Sequence, residues 1–75
     1  MNTINAIILN DEEGTTFRVG QNYSGTVIKE IIEIKWEYNL EFSVYMVYME
    51  DNKTKLEIPH HSILFVQENR HERLF

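Results

Sequence analysis

From Thr26 to Glu50 the chain reads TVIKEIIEIKWEYNLEFSVYMVYME, a run dense in β-branched, aromatic and thioether side chains. Its second half is the tighter constraint. Phe42-Ser43-Val44-Tyr45-Met46-Val47-Tyr48-Met49 is apolar at odd and even positions alike, and successive side chains of a strand point to opposite faces. Such a strand belongs inside a sheet, covered on both sides. Only 75 residues are present to supply that cover, and a domain of this size buries only about 60% of the surface its unfolded chain exposes. With Phe42, Val44, Met46 and Tyr48 read as the core face, Tyr45, Val47 and Met49 turn outward. An outward apolar patch marks an interface, and tyrosine and methionine are enriched there. The competing expectation is that the N-terminal strand or the tail covers this second face.

The first half of the run fits two templates. Its even positions, Ile28, Ile32, Ile34, Trp36 and Tyr38, form an apolar face broken by Glu30, and most odd positions are polar. That is a strand pattern. As a helix, Ile28, Ile31, Ile32 and Trp36 share one face, with Ser24 as cap and Lys35 as the misfit. Valine and isoleucine, with Trp36 and Tyr38, favour the pleated surface. Asn39-Leu40 suffices to turn this segment into the strand that follows. Thirteen extended residues would reach about 43 Å, so either the strand bends near Glu30, where the alternation fails, or the tip around Asn39 projects beyond the rest of the fold.

The rest of the chain reads as short strands and polar turns. Ile4 to Leu9 is a first strand, and Asn10 to Gly14 a turn. Thr15 to Val19 alternates, and Gly20 to Gly25 is a loop. Asp51 to Thr54 is a turn, and Lys55 to Ile58 a strand with Leu56 and Ile58 inward. Pro59-His60-His61-Ser62 makes one 3₁₀ turn, and Ile63 to Val66 is the closing strand. The expected fold class is all-β: one domain over residues 1–67 with five to six strands, and a charged, frayed or helical tail over residues 68–75. The alternative is an α+β fold with residues 26–38 helical.

A long hairpin, a short third strand, one turn and a closing strand come in a suggestive order. In Gly25-Thr26-Val27-Ile28-Lys29-Glu30-Ile31 and Leu56-Glu57-Ile58-Pro59-His60-His61-Ser62-Ile63 the chain resembles the SH3-like small barrels, over about residues 16–67. The resemblance implies a small barrel with a 3₁₀ turn before its last strand. Peptide-binding members carry an ALYDY-like segment and a proline-binding aromatic set. This sequence has neither, so proline-rich peptide recognition does not carry over, and the fold itself hosts many functions.

No catalytic constellation is visible. The chain has no cysteine, which excludes disulfides and thiolate metal sites and fits a reducing compartment. His60 and His61 are neighbours that point apart in an extended segment, and His71 lies in the tail, so no metal ligand set converges. Ser24, Ser43 and Ser62 have no patterned base around them, and the glycines lack phosphate-loop spacing. No cofactor and no metal are expected. A net charge of −5 opposes general affinity for nucleic acid, which depends on phosphate neutralisation. Trp36 and Tyr38 beside Lys29 and Lys35 nonetheless form a stacking set that single strands can use. The final Leu74-Phe75 resembles the ending of bacterial sliding-clamp-binding peptides, with His71 standing where their glutamine usually begins the motif.

The N-terminus lacks the basic region of a signal peptide, and no apolar run is long enough for a membrane span, so the expected location is the cytoplasm. Abundant isoleucine, asparagine and glutamate, with one alanine, suit an AT-rich genome such as that of a low-GC bacterium or its phage. The expected function is a non-catalytic binding module acting through protein–protein contact, with itself or with a host protein. Its interface is expected at Tyr45, Val47, Met49, Trp36 and Tyr38, with Leu74 and Phe75 as a candidate tail motif. A nucleic-acid-binding barrel and a minor structural subunit of a larger assembly are the alternatives.

Overall fold

A computed structural model describes residues 2–36 and 42–70. Its strands are β1 (Asn2–Leu9), β2 (Thr16–Arg18), β3 (Asn22–Tyr23), β4 (Thr26–Ile34), β5 (Val44–Met49), β6 (Lys55–Pro59) and β7 (Ile63–Arg70). A 3₁₀ turn at His60–Ser62 joins β6 to β7, where proline has just interrupted the strand. Two antiparallel sheets result, one ordered β2-β1-β7 and the other β3-β4-β5-β6. The fold is small and all-β. Among the described residues no helix is long and apolar enough to cross a membrane.

Residues 26–34 are strand, not helix, and the bend falls where the alternation breaks. The β4–β5 register shifts between Ile28 and Glu30, the mark of a β-bulge that inserts one residue and re-aims the side chains after it. Ile28 and Ile31, an odd spacing apart, therefore both reach the core, at 1% and 4% exposure. Ile32 and Ile34 point the other way. The even-numbered apolar face read from the sequence holds at Ile28 and is reversed beyond the bulge.

The two faces of β5 are likewise opposite to the expectation. Tyr45, Val47 and Met49 join Ile28 and Ile31 of β4 in the core cluster, together with Ile7 of β1 and Phe17 of β2. The register decides this: Val47 pairs with Ile31 on one side and Leu56 on the other, so all three share the inner face. Each such side chain contributes about 1.5–3 kcal/mol when fully removed from water. Met46 is buried as well but is not part of that cluster, because it lies on the outer face between Ile32 and Glu57. Phe42, expected inside, is exposed.

Short-range chemistry sets the turns. The Asp11 carboxylate accepts from the Thr15 amide (2.9 Å) and hydroxyl (2.6 Å). Asp51 does the same for Thr54 at 2.8 and 2.6 Å, and also accepts from the Lys53 amide. Ser24 and Gly25 take φ of 52° and 88° between the paired strands β3 and β4. That is a two-residue hairpin of the primed type, which matches strand twist and favours glycine, within the segment expected to be loop. At the closing strand, β7 runs to Arg70 and pairs as far as Asn2, entering the segment expected to be tail. The hairpin tip at Asn39-Leu40, and the candidates Tyr38, His71, Leu74 and Phe75, lie outside the described residues.

Candidate functional site

The outer face of the four-stranded sheet is built from three cross-strand rows. Ile34, Val44 and Pro59 form the first, Ile32, Met46 and Glu57 the second, and Glu30, Tyr48 and Lys55 the third. Paired residues in an antiparallel ladder share a face, so these nine side chains emerge together. The first two rows are apolar apart from Glu57. Ile32 is 39% exposed and Ile34 48%, with Trp36 (55%) and Phe42 (66%) at the same end of the hairpin. The buried Ser43 hydroxyl accepts from the Trp36 amide at 3.1 Å and ties the two sides of the hairpin together there. Met46, although on this face, is buried between Ile32 and Glu57. At the charged end a depression of about 470 Å³ is lined by Glu30, Ile32, Tyr48 and Lys55 among others.

Of the expected interface residues that the structure describes, Trp36 is exposed at this hairpin end. Tyr45, Val47 and Met49, at 5%, 0% and 1% exposure, are core and present no free surface. Ile32, Ile34 and Phe42 take their place as the exposed apolar residues. The failure of alternation at Glu30 was the signal that could have found the two isoleucines, since a bulge there inverts all that follows. A second exposed pair, Leu64 (65%) and Phe65 (56%), lies on β7. Phe65 stands opposite Ile8, and the register shift between Ile8 and Leu9 leaves Leu64 unpaired.

Behind β5, Tyr45 is an anchor. Its hydroxyl donates to Glu33 Oε2 at 3.2 Å, and the His60 ring stacks on it with centroids 6.3 Å apart and planes 14° from parallel. Burial, then the charge and hydrogen bond of Glu33, then the charge of Glu68, push the hydroxyl up to about 12. It stays protonated and donating. Glu33 also lines a cleft of about 610 Å³ between β1 and β4, with Thr3, Asn5, Val19, Glu30 and Glu68 among its walls. Its lining mixes those polar side chains and Lys29 with Ile4, Val19, Ile31 and Ile32, so that neither polar nor apolar surface dominates. His60 and His61 are exposed, and among the described residues no three His, Asp or Glu side chains converge as a metal site.

Comparison with known proteins finds no matching family model, no matching curated protein and no matching solved structure.

Proposed function

We propose that this chain is a non-catalytic, cytoplasmic binding module that holds a protein partner against the outer face of its four-stranded sheet. One observation carries the reading: the core is already complete on the inner face, yet Ile32 and Ile34 remain exposed on the outer one, with Trp36 and Phe42 exposed at the same end of the hairpin. Clustered apolar surface of this kind is retained where another surface covers it. Burial of these side chains would supply affinity, and Glu30, Lys55 and Glu57 around them would set partner choice. The element order, with a 3₁₀ turn before the last strand, supports the likeness to SH3-like barrels, whose shared fold leaves function to the surface. Size and composition suit a phage-encoded modulator of a host protein, or a minor subunit of an assembly.

Trp36 beside the exposed Lys35 supports a nucleic-acid reading through base stacking. The carboxylates of Glu30 and Glu57 on the adjoining outer face, and a net charge of −5, oppose it. The test compares the chain with Ile34→Glu, immobilised in parallel and challenged with lysate of the source cell and with labelled single-stranded DNA. Retention of a defined protein by the first and its loss by the second is the expected result. Equal retention by both, or DNA binding at physiological salt, would sink the proposal.

A further inference from the structure

We propose that the occupant of the outer face is a second copy of this chain, related to the first by a two-fold axis running along β5. The inference rests on the outer face being the binding surface and adds the partner and its orientation.

The third row supplies the reason. Tyr48 is flanked by Glu30 on β4 and by Lys55 on β6, and both flanking residues are exposed. A two-fold along β5 lays β5 over its own copy and brings β4 of each chain over β6 of the other. Glu30 then faces Lys55 of the second copy, and the symmetry repeats the pair on the opposite rim, as an isologous interface requires. In the centre, the half-buried Val44 and Tyr48 each meet their own equivalents on either side of the buried Met46. Ile34 meets Pro59 of the other chain, and Ile32 meets the methylenes of Glu57. The other face-to-face two-fold, running across the strands, fails the charge test. It sets Glu30 over Ile34, Lys55 over Pro59 and Glu57 over its own copy, so that no charge on the face meets an opposite one, which is costly. The axis along β5 leaves only Glu57 without a partner. The charges select one axis.

The contact is small. Three strands at about 4.8 Å spacing and five positions at about 3.3 Å rise give a footprint roughly 15 Å by 17 Å. Even with Trp36 and Phe42 at its end, this lies below the roughly 800 Å² per partner of a standard interface. The dimer is accordingly weak and concentration-dependent, with a dissociation constant of about micromolar or higher.

Sedimentation equilibrium from about 1 μM to about 1 mM follows that dissociation. The proteins compared are the chain itself, Glu30→Lys, Lys55→Glu, the double exchange Glu30→Lys/Lys55→Glu, and Ile34→Glu, each checked for folding by circular dichroism. Each single reversal should weaken dimerisation about tenfold or more, since it sets like charges together twice. The double exchange should restore it to within about threefold, and high salt should shrink both effects. A protein that stays monomeric throughout, or a double exchange that restores nothing, overturns the proposal. If Ile34→Glu abolishes the dimer while the single reversals leave it unchanged, the axis is wrong and the binding face stands. If Ile34→Glu leaves the dimer intact, both fail.

Discussion

Replacing Val47 by alanine tests which face of β5 carries the core. Val47 is fully buried, pairs with Ile31 and Leu56 on the inner face, and belongs to the central cluster. Removing two methyl groups from a site closed on all sides loses their transfer free energy and leaves a cavity, together about 2–3 kcal/mol. A chain of 75 residues has roughly 4–11 kcal/mol of total stability, so the change removes a large share of it. At about 4–8 °C per kcal/mol for a domain of this length, the melting temperature should fall by roughly 10–20 °C. The control is Ile34→Ala, which truncates an isoleucine that is 48% exposed on the outer face and should cost about 0.5 kcal/mol or less. Urea melts at low protein concentration, where self-association adds nothing, measure both. A Val47→Ala effect at or below that of Ile34→Ala would refute the inward placement of Tyr45, Val47 and Met49, and the outer-face proposals with it.

Three further outcomes follow from particular contacts. The folded state holds the Tyr45 proton up to about pH 12, whereas the unfolded chain releases it near the ordinary 10.0. The hydroxyl's contribution is therefore complete below pH 10 and is lost as pH rises through 12. Tyr45→Phe should cost about 1 kcal/mol at neutral pH, with the gap narrowing in urea melts taken at increasingly alkaline pH; a constant gap would count against the Tyr45–Glu33 contact. The Asp51 carboxyl, held at about 2 by the Thr54 hydroxyl and then the Thr54 and Lys53 amides, stabilises its turn above pH 3.8 and ceases to as pH falls through about 2. An NMR titration of its side-chain carbon should place the midpoint there, and a midpoint near 4 would show the turn to be open. Ala6 is fully buried with Arg18 and Gln67 as its neighbours in register, and the Arg18 guanidinium donates to Gln67 Oε1 at 3.0 Å. Ala6→Leu should push that pair apart and cost about 1–3 kcal/mol by overpacking, whereas a neutral thermal melt would show open space above Ala6.

Much of the fold was legible locally. Polar clusters with aspartate, threonine and glycine mark the turns because those side chains bond their own backbone or allow left-handed conformations. Proline before His60 stops β6, and the broken alternation at Glu30 places the bulge. The hairpin at Ser24-Gly25 was missed because its strand β3 is only two residues long, too short to show a period. The reach of β7 to Arg70 was missed for another reason. Its last residues are polar, and pairing with β1 through the backbone needs no apolar side chain.

The chain's own pattern determined that β5 is extended, central and apolar on both faces, and that β4 bends. It did not determine which face of either strand turns inward. A two-faced apolar strand has the same local period whichever way it is turned, so propensity and alternation are silent on the choice. Tertiary structure decided it: the bulge at Ile28/Glu30 aimed Ile31 inward, pairing carried Val47 and its neighbours after it, and Ile7 and Phe17 of the other sheet closed over them. Ile32 and Ile34 were left outside by the same one-residue shift.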